Sequence, residues 1–374
     1  MADLVEIGPT QPLSTVETSK RDLQKALRPR VYEKIISYNE KMLDGVISPI
    51  LRLKINRSLC NMKCEHCCEE PYMTRDLKKR TGKEDPRPQM SIDDYRALSL
   101  EADQYGIFRF VITGGEALLD KNLGNIIQAI DPYKHLIVLD TNGYYFDTEK
   151  AKWFAGIGGY KAQISLDSFF AEEHDSFRNT KGAHERALRA LDAAKDSGLE
   201  LLLSTCLVKG RIFSQEFQLL IDFCESKSIP LYVSLAKPVG SARGHDEWVC
   251  DKADVDALKD LETKHNIFTH MTPSYGQPGK CITVKGINTV NHDGEIMPCP
   301  YMDMSIGNVM AEPLARILER GMLNKWLGPY RDECIIGENW DFIKWHNTVV
   351  ANHLETNPYL PVPYQSSFAL TETF

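Results

Sequence analysis

Short apolar runs alternate with segments of helical character from residue 49 to about residue 238, and this alternation limits the fold of the chain more than any other feature. Six runs have the length and composition of buried strands. Helical crossovers between parallel strands explain this order, because parallel neighbours need long, right-handed connections. The sequence therefore predicts an α/β fold, most economically a partial (β/α)6 TIM-like barrel open on one side, with a doubly wound open sheet as the alternative. The predicted strands are Ile50–Ile55, Phe108–Thr113, Leu136–Thr141, Ala162–Leu166, Glu200–Val208 and Leu231–Ala236.

Start and stop signals mark the helices between these strands. Ser91 and Asp94 have the spacing of a capping box, which predicts a helix beginning at this point. Another helix is predicted over Gly182–Ser197, since Gly198 is a favourable C-terminal breaker. Further helices are predicted over Lys20–Met42, Lys252–His265 and Glu312–Leu327.

The order of the elements predicts five parts of the chain. These are an N-terminal extension with a helix (1–48), the partial barrel (49–240), a helical connector (241–270), a small cysteine-bearing domain (271–346) and a C-terminal tail (347–374).

Three cysteines follow the first predicted strand, where ligands bind in folds of this kind. Cys60, Cys64 and Cys67 are spaced C-x3-C-x2-C, so one short loop carries three thiolates. Three thiolates cannot close a tetrahedral zinc site, but they can hold three irons of a [4Fe–4S] cluster and leave the fourth iron open. The alternative is a zinc knuckle completed by His66 or by a distant residue.

A glycine-rich segment follows the second predicted strand. Gly114 and Gly115 allow backbone groups to approach a ligand closely, and Glu116 offers a carboxylate to a cation. An ordinary turn with an exposed glutamate would have the same sequence. Its place directly beside the cysteine loop favours a ligand site.

Together these two segments resemble the radical S-adenosylmethionine (SAM) enzymes, and the resemblance covers roughly residues 49–240. It implies that Cys60, Cys64 and Cys67 ligate a [4Fe–4S] cluster whose open iron takes the amino and carboxylate groups of SAM. The segment Gly114–Glu116 resembles the motif that binds the SAM amino group. One departure is His66, because an aromatic residue usually precedes the third cysteine, and histidine is a planar substitute.

Further segments resemble SAM-binding elements of the same family. Asn142, in a Thr-Asn-Gly sequence after the third strand, resembles a recurring element. Ser165 and Asp167 resemble residues that meet the SAM ribose in related enzymes, and Arg178 resembles an arginine that meets the SAM carboxylate. A guanidinium fork suits a carboxylate, although Arg178 also has the position of a surface helix arginine. The segment 237–242 resembles the loop on the adenine side of SAM.

A second group of cysteines lies in the C-terminal part of the chain. Cys281 and Cys299 flank a predicted hairpin with Gly294 in its turn, and Cys334 follows. The spacing C-x12-G-x4-C resembles the start of SPASM and twitch domains, which carry auxiliary iron–sulfur clusters, and the single later cysteine is closer to the twitch form. The alternatives are three unrelated buried cysteines or a zinc site.

Three cysteines leave one position of an auxiliary [4Fe–4S] cluster open. The fourth ligand is expected from another residue, such as Glu338 or His346, or the iron is open to substrate.

The resemblance implies reductive cleavage of SAM to a 5′-deoxyadenosyl radical, which abstracts a hydrogen atom from the substrate. We expect a small natural product, such as a sugar, aminoglycoside or nucleoside, because residues 1–48 are too few for a peptide-recognition domain. Dehydrogenation, epimerisation or a related rearrangement would follow, with Cys206 and Cys250 as candidate hydrogen donors. The alternatives are a maturase of ribosomally made peptides and, in another class, a non-catalytic iron–sulfur or zinc protein. An external electron donor such as flavodoxin or ferredoxin is implied.

Charge and composition bear on partners and location. A net charge of −8 argues against binding of nucleic acid through a positive field. No stretch resembles a membrane span or a secretory signal, so neither is expected. Ten cysteines in such a chain indicate metal or redox chemistry in the cytoplasm rather than a disulfide framework.

Overall fold

A single mixed sheet, flanked by helices, organises the chain. The structure is a computed structural model and describes residues 28–43, 48–56, 59–69, 82, 86–272 and 280–364. Its strands are β1 (Ile50–Lys54), β2 (Arg109–Thr113), β3 (Leu136–Thr141), β4 (Lys161–Ser165), β5 (Glu200–Leu207), β6 (Leu231–Leu235), β7 (Ile267–Phe268), β8 (Ile287–Val290), β9 (Glu295–Met297) and β10 (Gly307–Asn308). Its α-helices are α1 (Pro29–Leu43), α2 (Ile92–Tyr105), α3 (Leu123–Ala129), α4 (Thr148–Gly156), α5 (Ala171–Phe177), α6 (Ala183–Asp196), α7 (Gln215–Lys227), α8 (Lys252–Lys264), α9 (Leu314–Leu323) and α10 (Trp340–Thr356).

The strands β1 to β6 pair in chain order, and every pair is parallel. All six predicted strands are present, and each observed end lies within one residue of its predicted position. In the described residues the strands are ordered β10-β9-β8-β1-β2-β3-β4-β5-β6-β7. The two end strands, β10 and β7, do not pair with each other, so the sheet is open. The prediction of an α/β partial barrel is confirmed.

Burial against the flanking helices contributes to the apolar character of these strands. Leu51 and Leu53 of β1 and Phe110 of β2 are at most 1% exposed, because the sheet is covered by helices on its outer side. The outer helices have their own start signals. Ser91 caps α2 in the predicted capping box with Asp94.

The C-terminal hairpin extends the barrel sheet. β8 lies parallel to β1, with Ile50 opposite Ile287, and β9 returns antiparallel to β8. The sheet is therefore continuous across the predicted domain boundary at residue 271, and α10 runs across the one at 346. The division into domains stays a prediction.

Two predicted helices have different ends in the structure. The helix predicted from Lys20 is observed as α1, and residues 20–27 lie outside the described residues. The helix predicted over Glu312–Leu327 is shorter, since α9 ends at Leu323. Asn324 takes an extended conformation there, and its side chain accepts hydrogen bonds from the backbone amides of Trp326 and Leu327. Within the described ranges, none of the helices combines the length and apolar character needed to cross a membrane.

Candidate functional site

A polar cavity of about 200 Å³ opens at the C-terminal ends of the barrel strands. This is where the loops after parallel strands converge and where ligands bind in barrels. Most of the predicted SAM-site residues lie in its wall. They are Cys60, Cys64, Cys67, Gly114, Gly115, Asn142, Ser165, Asp167 and Arg178.

The three N-terminal cysteines lie in one loop, and a tight turn joins two of them. Cys67 N donates to Cys64 O at 3.2 Å, and Met62 N lies 3.4 Å from Cys60 Sγ. In the described residues, no three histidine, cysteine, aspartate or glutamate side chains converge on one metal ion. A four-iron cluster binds each thiolate through a different iron, so its ligands stand further apart than those of a single ion.

The loop after β6 holds the cysteine loop from the other side. Ser241 N donates to Cys67 O at 2.8 Å. Gly240 has φ +58°, and a Cβ at this position would lie 2.6 Å from Cys68 Cα. Only glycine allows the two loops to approach this closely.

His66 fills the place expected of an aromatic residue. Its ring stacks on Phe177 of α5, with centroids 4.3 Å apart and planes 13° apart. Burial lowers the pKa of His66 to about 4, so the ring is neutral at pH 7. The stacking joins the cysteine loop to the segment that carries Arg178.

Arg178 is buried rather than on the surface. Its Nε donates to Asp167 Oδ2 at 2.6 Å, and its NH1 lies 3.7 Å from Cys64 Sγ. Burial raises the pKa of Asp167, but the charge of Arg178, the two neighbouring histidine rings and a backbone hydrogen bond together outweigh burial and hold that pKa well below its usual range. Asp167 Oδ1 also accepts from Cys206 N at 2.9 Å. The carboxylate thus stays charged and fixes the guanidinium beside the cysteine loop.

Glu116 lies behind the cavity wall, with 1% exposure. Its carboxylate accepts hydrogen bonds from Thr141 Oγ1 at 3.0 Å, Asn142 N at 2.9 Å and Leu118 N at 3.1 Å. It therefore connects the loop after β2 to the loop after β3. Asn142 is held at the cavity by this contact and by a bond from its Nδ2 to Asn61 Oδ1 at 2.9 Å.

The described residues fit an iron–sulfur cluster and SAM. Three thiol groups face one cavity, which is the donor set that leaves a fourth iron open. Gly114 has φ +154°, and a Cβ there would lie 2.6 Å from Asn56 Oδ1. A side chain at Gly114 would collide with the Asn56 side chain, which hydrogen-bonds to the backbone of Leu59, Gly115 and Glu116, so glycine is required.

The C-terminal cysteines lie near one another but outside the wall of this cavity. Burial, with a smaller contribution from the charge of Cys281, raises the pKa of Cys299 to about 11. Burial likewise raises the pKa of Cys334, and the nearby thiols of Cys281 and Cys299 contribute in the same direction. Cys281 Sγ contacts Thr283 Oγ1 at 3.3 Å. The structure brings this trio together, and their role as ligands stays a prediction.

The two residues suggested as fourth ligands already have partners. Glu338 Oε2 accepts from Cys334 N at 2.6 Å, so this carboxylate caps the turn after the cysteine. His346 Nε2 accepts from Asp303 N at 3.1 Å, and burial lowers the pKa of His346 to about 4. Either residue would have to give up its present hydrogen bond to bind iron.

The two candidate hydrogen donors differ in position. Cys206 lines the cavity, and burial raises the pKa of Cys206 to about 12, which keeps the thiol protonated. Cys250 is not among the lining residues, and its Sγ donates to Leu207 O at 3.4 Å. The position of Cys206 suits a donor to a bound molecule, and that of Cys250 is typical of a core residue.

Sequence reasoning missed the charged and hydroxyl groups deeper in the cavity. Arg52 NH2 lies 2.7 Å from Asp140 Oδ2, and Lys54 Nζ lies 2.5 Å from Glu69 Oε1. The sequence did contain a signal for Arg52 and Lys54, because they stand at every second position of β1 and alternate residues of a barrel strand point inward. Other lining residues that were not predicted include Cys68, Gln163, Ser204, Tyr232, Ser234 and Tyr301.

Comparison with known proteins identifies the family. The Radical SAM superfamily model matches residues 58–224, which include the cysteine loop and the strands β2 to β5. The chain contains a radical SAM domain. Members of this superfamily are enzymes that use a [4Fe–4S] cluster with SAM and need a reductant and a substrate. This radical SAM chain is thus an enzyme, and the non-catalytic alternative is excluded.

The names of two curated relatives describe reactions of small molecules. The AdoMet-dependent heme synthase of Nitratidesulfovibrio vulgaris is 24% identical over 304 residues, which cover 72% of this chain and 79% of the relative. The GTP 3',8-cyclase of Ectopseudomonas mendocina is 25% identical over 244 residues, which cover 64% and 69%.

Solved structures share the architecture. Streptococcus suis SuiB bound to S-adenosylmethionine aligns with a TM-score of 0.56 and 14% identity over 81% of this chain and 76% of SuiB. The structure of anSMEcpe with bound AdoMet and Kp18Cys peptide aligns with a TM-score of 0.56 and 14% identity over 82% and 98%. At this identity the likeness shows the fold, which is that of radical SAM partial barrels.

Proposed function

We propose that this radical SAM enzyme abstracts a hydrogen atom from a small hydroxylated natural product, such as a sugar, aminoglycoside or nucleoside. The observation that carries the proposal is the polar wall of the cavity beyond the cysteine loop. Dehydrogenation, epimerisation or a related rearrangement would complete the reaction.

The wall includes several groups that can recognise hydroxyls and amines. Ser204, Tyr232 and Ser234 present hydroxyls, Gln163 presents an amide, and Asp140 presents a carboxylate. Among the described residues, both oxygens of Asp140 are buried and have no hydrogen-bond partner apart from the ion pair with Arg52. A buried polar group of this kind favours a ligand that supplies the missing hydrogen bond.

In this proposal the chain holds both cofactors by the residues described above. Cys60, Cys64 and Cys67 hold the cluster, and Gly114 and Gly115 leave room for SAM against the backbone. When bound, the reduced cluster and SAM supply a 5′-deoxyadenosyl radical, which removes a hydrogen atom from a C–H bond. Asn142, Ser165, Asp167 and Arg178 shape the wall on this side, with Glu116 as their support.

A second part of the proposal is an auxiliary [4Fe–4S] cluster on Cys281, Cys299 and Cys334. Their proximity and the hairpin between the first two support it. An external donor such as flavodoxin or ferredoxin would supply electrons. Cys206, as a protonated thiol in the cavity wall, is the candidate to return a hydrogen atom.

A peptide substrate is the second candidate. It is favoured by the fold shared with SuiB, which has been solved with its precursor peptide SuiA. The small-molecule names of the curated relatives support the first candidate.

The deciding experiment is anaerobic reconstitution followed by reduction with SAM, with 5′-deoxyadenosine measured with and without candidate substrates. A hydroxylated small molecule should increase 5′-deoxyadenosine and give a new product, which is two hydrogens lighter after dehydrogenation and an isomer of the substrate after epimerisation or rearrangement. Stimulation by peptides alone would favour the maturase. No SAM cleavage by the iron-replete protein would refute the proposed function.

A further inference from the structure

Lys237 stands out among the charged side chains of the cavity because it has no charged partner. Within the described residues, the other cations of the wall each face a carboxylate: Arg52 pairs with Asp140, Lys54 with Glu69 and Arg178 with Asp167. No acidic side chain of the described residues forms an ion pair with Lys237.

The ammonium of Lys237 is buried at the C-terminal end of β6. The residue is 5% exposed and lines the cavity. Its Nζ donates to Leu235 O at 2.7 Å and lies 3.5 Å from Ser234 Oγ, which leaves donor capacity toward the cavity. Burial of a positive charge is costly unless an anion compensates it.

The Ser234 hydroxyl and the Tyr301 ring lie beside this ammonium. Ser234 Oγ and Tyr301 OH are hydrogen-bonded at 2.8 Å, and Lys237 Nζ lies 4.3 Å from the centre of the Tyr301 ring. One of the two hydroxyls donates to the other, so the corner combines one cation with one further hydroxyl donor in the wall of the cavity. Carboxylates and phosphates accept several such bonds at once.

We propose that Lys237, with Ser234 and Tyr301, binds an anionic group of the substrate, a carboxylate or a phosphate. This inference rests on the proposed function and narrows the substrate to an acidic small molecule. Lys237 also lowers the pKa of Cys206 against the larger effect of burial, so the anchored group would lie near the candidate hydrogen donor.

The test uses the anaerobically reconstituted holoenzyme with SAM bound, and inorganic phosphate and succinate as probes in calorimetric titrations. Wild type should bind at least one of the two. Lys237→Met should weaken that binding about 10- to 150-fold, the effect of one lost charge-assisted hydrogen bond. The matched control is Lys209→Met. Lys209 follows β5, is 48% exposed, pairs with Asp251 and does not line the cavity, so this variant should bind as wild type does.

Ser234→Ala keeps the charge and should weaken probe binding by a smaller factor, which keeps the proposal testable if Lys237→Met does not fold. Iron content and SAM affinity should stay unchanged in both variants. Binding of neither probe by wild type, or equal binding by wild type and Lys237→Met, would overturn the inference. So would a loss of SAM affinity in Lys237→Met, because the anion would then be the SAM carboxylate. A changed cluster reduction potential with unchanged probe binding would also overturn it, since the charge would then serve the auxiliary cysteines.

Failure of this inference is separable from failure of the proposed function. Probe binding is measured without reduction and does not require SAM cleavage. Turnover of a neutral sugar with no anion binding would refute the inference about Lys237 but would agree with the proposed function.

Discussion

Arg178 and Asp167, eleven residues apart in the chain, form an ion pair in the wall of the cavity, with 2.6 Å between Nε and Oδ2. The resemblance implied that each would meet a different part of SAM. In the structure each first orients the other, and Arg178 reaches Cys64 Sγ as well. The pair therefore fixes this part of the cavity wall rather than presenting two free groups.

Breaking this pair should destabilise the protein strongly. Arg178→Met leaves the Asp167 carboxylate buried without its cation, a loss of about 3–5 kcal/mol. Urea unfolding followed by circular dichroism measures it. Arg189→Met, which removes an exposed i,i+4 partner of Glu185, should cost at most about 1 kcal/mol. Equal effects of the two variants would show that Arg178 and Asp167 are not coupled.

Glu116 should affect SAM binding although it does not line the cavity. Glu116→Ala removes the acceptor of the Asn142 amide and the Thr141 hydroxyl, so the loop after β3 loses its support. We expect SAM affinity to fall about 10- to 150-fold and stability by about 1–3 kcal/mol, with the iron content unchanged. Equilibrium binding of SAM and urea unfolding test this. Glu319→Ala, on an exposed position of α9, should change neither quantity.

The strand positions could be predicted because they depend on local pattern. Runs such as Leu136–Thr141 are buried on both faces, and burial leaves a readable signal in the sequence. The capping box at Ser91 is local in the same way. The pairing of β8 with β1 joins residues more than two hundred positions apart, and no local pattern records it.

The candidate site was predicted in part for a similar reason. Motif residues of the cysteine and glycine loops have fixed spacing, so they were recognisable. The environment of Lys237 depends on side chains from β6 and from the segment after β9, which meet only in the folded barrel. The partners of His346 and Glu338 could not be read from spacing either.

The N-terminal cysteines should account for half of the iron. The anaerobically reconstituted protein should hold about eight irons, the sum of two four-iron clusters. Replacement of Cys60, Cys64 and Cys67 by alanine should leave roughly half of this iron and abolish SAM cleavage, as measured by iron analysis and 5′-deoxyadenosine formation. Cys224→Ala, a buried cysteine of α7, is the control and should retain both. Stoichiometric zinc without iron in wild type would contradict the assignment.

Replacement of Cys206 and replacement of Cys250 should give different results in a product assay. If the reaction returns a hydrogen atom, Cys206→Ala should still cleave SAM but lose the product with the returned hydrogen, because the thiol that lines the cavity is gone. Cys250→Ala should behave as wild type, since its thiol contacts Leu207 O in the core. Product analysis in deuterated water detects the returned atom. Normal product and deuterium content in Cys206→Ala would remove this residue from the reaction.

The C-terminal cysteines should hold a cluster that SAM cleavage does not require. Replacement of Cys281, Cys299 and Cys334 by alanine should remove about four irons, because one four-iron cluster is lost. SAM cleavage should continue, at least slowly, since the first three cysteines lie in a different loop, but the normal product should not form. Loss of a cluster can unfold its surroundings, and β8 is paired with β1, so circular dichroism of the variant must accompany the assays. Single replacement of Cys299 offers a milder test, and it should also lower the iron content and the yield of normal product. Full iron content and normal product in the folded triple variant would show that these cysteines are only part of the core.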